Sequence, residues 1–244
     1  MTKKYWLILI AFILTQLSPV AVMIVLQLNG FSGTEAELQG MSVFIGFTLG
    51  FIVISLIALK TKPDKNFIQG QADVGQTVLW SIAGIFMAFA AQYVAALIEM
   101  TLLGIEPGSE NTEMIVDMAT AVPYMVIVVA IFVPIMEELV FRMVIFGSLF
   151  KRFGFWIAAV LSGLIFAIVH WDFEHILVYL AMGIVFAFLY VKTKRIIVPI
   201  IAHVGINSFV MLIQVVFGER LQDLIEQMEE FEQAAQAFIG GFFL

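Results

Sequence analysis

The sequence predicts an all-α, polytopic integral membrane protein of about seven transmembrane helices, and three observations carry that expectation. Hydrophobic residues make up 62% of the 244-residue chain and charged residues only 13%, whereas soluble domains are roughly half apolar and a quarter charged. The apolar residues are gathered into runs close to the ~20 residues that cross a ~30 Å hydrocarbon core. Ten of the twelve lysines and arginines fall on one side of the membrane once these runs are drawn as spans. There is no cysteine, which excludes disulfides, thiolate metal sites and a cysteine nucleophile. Any chemistry must use carboxylates, histidines or hydroxyls.

The first run, Trp6 to Leu28, follows the basic front "MTKKY". It is longer than a signal-peptide core and no small-residue cleavage site closes it, so it reads as a retained helix, 5–28. Further spans follow at 41–59, 76–103, 119–141 (the helix able to continue to 150), 155–171, 175–191 and 196–217. Lys3 and Lys4, then Lys60, Lys62 and Lys65, then Lys151 and Arg152, then Lys192, Lys194 and Arg195 share one side. Cytoplasmic loops carry such an excess, which places the N-terminus in the cytoplasm and the C-terminus outside. Beyond the last span, Leu221, Leu224, Ile225, Met228 and Phe231 recur at helical spacing opposite acidic residues, the pattern of an amphipathic surface helix. The chain thus divides into N-terminal helices without a motif (1–118), a core (119–217) and an acidic tail (218–244).

Within this apolar background the stretch "FVPIMEELVFR" places Glu137, Glu138 and Arg142 inside the fourth span. A charge in hydrocarbon costs on the order of 3 kcal/mol even on the gentlest scale, so such residues pair, face a wet cavity, or do chemistry. Glu138 and Arg142 are i and i+4 with the acid first, the favourable order for an ion pair. Glu137 points about 100° away, which leaves one carboxylate free. The bland alternative is a buried polar knot of all three.

"FAIVH" sets Phe166 and His170 four apart, and "HVGIN" sets His203 and Asn207 four apart on one helix face. A lone intramembrane histidine or asparagine is as readily an interhelical packing donor; it is the coincidence with a glutamate pair that points to a site. "HWDFEH" lacks zinc-helix spacing, because His170 and His175 are five apart and no HExxH is present. His175, Asp172 and Glu174 therefore read as polar residues of an outer turn, and Glu99 as a structural carboxylate that snorkels outward. Pro134 and Pro199 stand just before these sites, where each is expected to kink its helix.

The order Glu-Glu-x-x-x-Arg (Glu137, Glu138, Arg142), Phe-x-x-x-His (Phe166, His170) and His-x-x-x-Asn (His203, Asn207) resembles the CPBP family of intramembrane proteases, which includes the CAAX prenyl endopeptidases and the bacterial Abi proteins. The match covers roughly residues 119–217. The resemblance implies an all-α membrane fold with a CPBP-like catalytic core and a conical cavity, cleaving peptide bonds near the membrane surface. It implies that Glu137 and His170 position and deprotonate water, that His203 and Asn207 stabilise the oxyanion, and that Glu138 and Arg142 form the supporting ion pair. Glu137, His170 and His203 would also make a His₂Glu set for zinc. A metal-free mechanism is preferred, since Asn207 is a poor zinc ligand and a good oxyanion donor.

The main reading is a membrane-embedded endopeptidase acting on a signal, leader or other membrane-associated peptide, in a bacterial plasma membrane. Its partners are the peptide or membrane-protein substrate and the lipid bilayer, with no sign of nucleic acid. A non-catalytic scaffold or bacteriocin-immunity protein retaining the fold is the alternative. A transporter is weaker because no repeat symmetry is present.

Overall fold

The computed structural model describes residues 1–61, 67–105 and 108–242, with the side chains of 110, 219, 221–226 and 228–242 excepted. Helices and turns account for the regular structure of the described residues. Lys62, Lys65 and the apolar stripe expected at Leu221, Leu224, Ile225, Met228 and Phe231 lie outside what is described.

α1 (Lys3–Leu28) and α2 (Glu35–Leu59) form an antiparallel pair. Thr34 and Glu37 close a reciprocal capping box at the start of α2, so the chain enters that helix with its first donors satisfied. Gly46 and Gly50 of α2 lie directly on Ser18 and Thr15 of α1, where a β-carbon would collide. Small residues at a crossing let backbones approach in lipid, where packing replaces the hydrophobic effect as the driving force. α3 (Val74–Leu102) begins at the Asp73 cap and buries Ser81, Gly84, Ala88, Ala95 and Glu99 along one stripe. It packs on two later helices, α8 (Ile176–Thr193) and α9 (Ile197–Phe242).

The amphipathic α4 (Glu110–Ala121) leads into a continuous but irregular helical segment, Met125–Phe146. This segment comprises a short α5 (Met125–Ile127), a π-helical stretch (Val128–Phe132), α6 (Val133–Glu137) and a second π-helical stretch (Glu138–Phe146). Pro134 has no N–H for the carbonyl four residues back, and the backbone preceding it is widened. Wide π-turns are frequent at functional sites. α7 (Gly147–Val169) is broken at Gly154 (φ 73°, ψ −172°), a conformation that suits glycine.

Five of the predicted spans are helices long and apolar enough to cross a membrane: Lys3–Leu28, Glu35–Leu59, Val74–Leu102, Ile176–Thr193 and Ile197–Gly218. The other two, 119–141 and 155–171, take different forms. The first, with its continuation past 141, carries the buried Glu137, Glu138 and Arg142 on a helix interrupted by π-helical backbone. In the second, the regular helix after Gly154 runs only to Val169, about 22 Å, short of a full hydrocarbon core. Pro199 does not kink its helix: α9 begins at Ile197, so the proline lies in the first turn, where its missing N–H has no intrahelical acceptor to lose. α9 continues past the last span to Phe242 without a break.

The core around Ile8, Phe12, Ile54, Met136, Val140, Phe141 and Phe166 joins α1 and α2 to the irregular segment and α7. A second core, Ala88, Phe186, Leu189, Ala202 and Ile206, joins α3, α8 and α9. The polar residues lie between the two.

Candidate active site

Glu137 ends α6 and Glu138 begins the wide turn that follows, so their side chains diverge as the spacing predicts. Both are buried, at 4% and 0% exposure, and Arg142 at 1%. Arg142 Nε lies 3.2 Å from Glu138 Oε2. The pair expected from i, i+4 spacing is therefore made, on π-helical rather than α-helical backbone. The guanidinium is held between the rings of Phe166 and Phe186, its Cζ 4.5 and 5.0 Å from their centroids, an arrangement in which the ring faces attract the cation. Its Nη1 and Nη2 have no hydrogen-bond partner among the described residues. The room for it comes from a helix crossing without side chains. Gly183 of α8 lies against Gly163 of α7, and a β-carbon at Gly183 would stand 2.9 Å from the Gly163 Cα.

His203, one and a half turns into α9, is 3% exposed. Its Nδ1 lies 2.8 Å from Glu138 Oε1. With the Glu138 oxygen as acceptor, Nδ1–H donates, and in the neutral ring Nε2 is left as the outward lone pair. Phe186 stacks on the same imidazole at 4.6 Å and 24°. Glu138 thus has two duties, one oxygen on Arg142 and one on His203. The second was not visible in the sequence, because the residues are 65 positions apart.

His170 closes α7 as its C-terminal cap, and Trp171 turns the chain away with a left-handed φ of 56°. The Nδ1–H of His170 donates to the carbonyl of Phe166 at 2.7 Å, since a carbonyl can only accept. Its Nε2 therefore also presents a lone pair. The two Nε2 atoms converge on one carboxylate: His170 Nε2 is 3.6 Å from Glu137 Oε1 and His203 Nε2 is 3.7 Å from Glu137 Oε2. These separations exceed a direct hydrogen bond. Although His170 ends its helix and His203 lies near the start of another, both imidazoles reach the same carboxylate.

Glu137, His170, His203 and Asn207 line a single cavity of about 990 Å³. Asn207 lies one turn beyond His203, its Nδ2 donating to the Val129 carbonyl at 3.4 Å rather than to the Glu137 group. Val43, Phe47, Met118, Met125 and Ile206 give much of the wall an apolar character. Among the described residues, no group of three or more His, Asp or Glu has the geometry of a metal site. The donor set of two imidazole lone pairs and a carboxylate is still the chemistry of a His₂Glu zinc centre, so metal dependence enters the test of function.

The outer turn departs from expectation at Glu99. It is 2% exposed and does not snorkel. Its Oε1 accepts from the backbone N–H groups of Leu177 and Val178, at 2.9 and 3.3 Å, and its Oε2 pairs with His175 Nδ1 at 2.9 Å. A carboxylate at a helix N-terminus satisfies orphan donors and meets the positive end of the dipole, which accounts for its burial. Burial works against the His175 imidazolium, but the Glu99 hydrogen bond and the Asp172 and Glu99 charges outweigh it and raise the pKa above its ordinary 6.5. Asp172 Oδ2 accepts from the Ser109 hydroxyl at 2.7 Å, and Glu174 is exposed. These residues form the turn, and Glu99, Asp172 and His175 line the same cavity as Glu137 without contacting its carboxylate directly.

A bundle of membrane-length helices enclosing a buried glutamate and two inward histidines fits a membrane-embedded peptidase. The comparisons agree. The Type II CAAX prenyl endopeptidase Rce1-like family matches residues 119–209. A Bacillus subtilis (strain 168) protein named as the membrane peptidase YdiL is 40% identical over the whole of both chains. The membrane-embedded CAAX protease MroQ of Staphylococcus aureus (strain USA300) is 34% identical over 91% of this chain and 93% of its own. A UPF0177 protein, YxdF, of Lactococcus lactis subsp. lactis (strain IL1403) is 29% identical over 66% of this chain and 90% of its own. No solved structure matches. The chain belongs to the Rce1-like CAAX endopeptidase family of membrane proteases.

Proposed function

We propose that the cavity hydrolyses a peptide bond in a signal, leader or other membrane-associated peptide without a metal ion. The observation that carries this is the Glu137 carboxylate set between the Nε2 atoms of His170 and His203, at 3.6 and 3.7 Å, inside the cavity. Water held by Glu137 and the His170 lone pair gives up a proton to Glu137 as its oxygen attacks the substrate carbonyl carbon. The carbonyl oxygen becomes an oxyanion, for which the Asn207 amide and His203 are donors. To donate from Nε2, His203 enters the cycle as an imidazolium, its lone pair having taken a proton from solvent through the cavity, and leaves the cycle in the same state with its Nδ1–H on Glu138; the carboxylate that orients the ring also stabilises that charge. Glu137 then returns its proton to the departing amine, so proton and charge balance over the cycle. Glu138 and Arg142 hold the frame.

The names of two relatives, both from bacteria, support peptidase activity in a bacterial plasma membrane. The N-terminus is assigned to the cytoplasm and the C-terminus to the outside on the distribution of basic residues. The test is reconstitution in proteoliposomes with a defined pool of membrane-anchored signal and leader peptides, with products read by mass spectrometry. Wild type should cleave and Glu137→Gln should lose roughly 10²- to 10⁴-fold in rate at unchanged thermal stability. Cleavage should persist in a strong chelator. Equal products from both proteins would remove Glu137 from the chemistry, and activity lost to the chelator and restored by zinc would assign the His₂Glu set to a metal. Absence of cleavage across the pool would favour the scaffold or immunity reading.

A further inference from the structure

His170 caps α7, so no following turn of its own helix restrains its ring, and it is the more exposed of the two inward histidines at 18% against 3%. Its single side-chain hydrogen bond to the Phe166 carbonyl leaves the ring free to swing about that contact unless its faces are held. The ring of Phe166 stands edge-on at 4.5 Å and 62°. Tyr179, in the first turns of α8, lies over it at 4.2 Å with the planes 30° apart. Tyr179 is in turn aimed by its hydroxyl, which lies 3.4 Å from Asp172 Oδ2, the same oxygen that accepts from Ser109. One carboxylate on the turn after His170 thereby links the start of α4, the end of α7 and the start of α8.

We propose that Tyr179 is a positioning residue for His170: its ring clamps the imidazole so that Nδ1–H stays on Phe166 and Nε2 faces Glu137. This rests on the reading of His170 as the partner of Glu137. The clamp is the ring, and the hydroxyl with Asp172 only aims it. A swing of the imidazole would move Nε2 away from Glu137 and misplace the water, the kind of displacement of about 1 Å that lowers rates by on the order of 10²-fold.

The experiment has two arms. In the first, the full chain carrying ¹³C,¹⁵N-labelled histidine is placed in lipid nanodiscs. The three histidines are assigned with His170→Gln and His175→Gln. Wild type and Tyr179→Phe should show one His170 species protonated at Nδ1. Tyr179→Leu, or Tyr179→Met should the leucine variant fail to fold, should show exchange between tautomers or ring orientations. In the second, cleavage of the fastest-processed peptide of the pool is followed. Tyr179→Phe should stay within about 3-fold of wild type, while the aliphatic variant should lose about 10- to 100-fold in kcat with KM within about 2-fold. His170→Ala should be no slower when combined with it. Unchanged His170 resonances in the aliphatic variant, equal losses in the Phe and Leu variants, or additive losses in the double variant would overturn the clamp. Wild-type rates in His170→Ala would instead overturn the reading of His170, while the resonances still report on the clamp by themselves.

Discussion

Removing the Glu138 carboxylate should damage stability and chemistry by separable routes. Arg142 is 1% exposed in the native fold, and Glu138→Ala removes the carboxylate paired with its Nε. Its Nη atoms make no hydrogen bond to the described residues. The Phe166 and Phe186 faces return about 0.5–2 kcal/mol, less than the 3–5 kcal/mol typical of breaking a buried pair. The variant should therefore lose about 3–5 kcal/mol, a fall of roughly 6–20 °C in Tm for a chain of this size. Adding Arg142→Met removes the stranded cation and fills its slot between the rings, so the double variant should recover most of that loss. It should not recover cleavage. His203 Nδ1, 2.8 Å from Glu138 in the native protein, still lacks its acceptor, which costs about 1–3 kcal/mol and frees the ring to choose the wrong tautomer. Thermal unfolding in detergent, paired with cleavage rates for both single variants and the double, gives the coupling directly. A double variant as unstable as Glu138→Ala, or a Glu138→Ala protein that melts with wild type, would refute the argument.

Two further outcomes are expected. His175 has its pKa raised above 6.5 in the folded protein, so its pairing with Glu99 contributes fully below that pH and is lost as pH rises through the folded-state value; Tm should fall as the pH is raised above 6.5 in wild type and be flatter in His175→Gln, and equal slopes would show that the pair does not contribute to stability. A periplasmic-type reporter fused after Leu244 should be active and a cytoplasmic one silent, by the one-sided placement of basic residues; the reverse result would mean an even number of crossings.

What could be read from the sequence was what one helix encodes by itself. Four-residue spacing brought Glu138 to Arg142 and placed His203 and Asn207 on one face, because the helical repeat alone decides such neighbours. The motif order then grouped Glu137, His170 and His203. Contacts between helices were not legible. Glu138 on His203, Glu99 on the first N–H groups of α8, and Tyr179 on His170 depend on where separate helices end and how they pack, which no spacing within one helix encodes. Pro199 illustrates the same limit from within one helix. Its effect turns on where α9 begins, and a shift of one turn separates a kink from an ordinary first-turn proline.

The buried stripe of α3 has a consequence for how this protein could be divided. Residues 119–209, which carry the family match, are not self-sufficient in the fold: Gly84 receives Leu189 and Ala202, Ala88 completes the core around Phe186, and Ile8 and Phe12 cover Phe141. Glu99 supplies from outside that region the acceptor for α8's leading amides. A chain shortened to the matching region would carry every reactive side chain and leave their supports facing lipid. The segment that the family model matches is thus smaller than the segment the site depends on, and the motif-free helices are as much a condition of the site as the glutamates themselves.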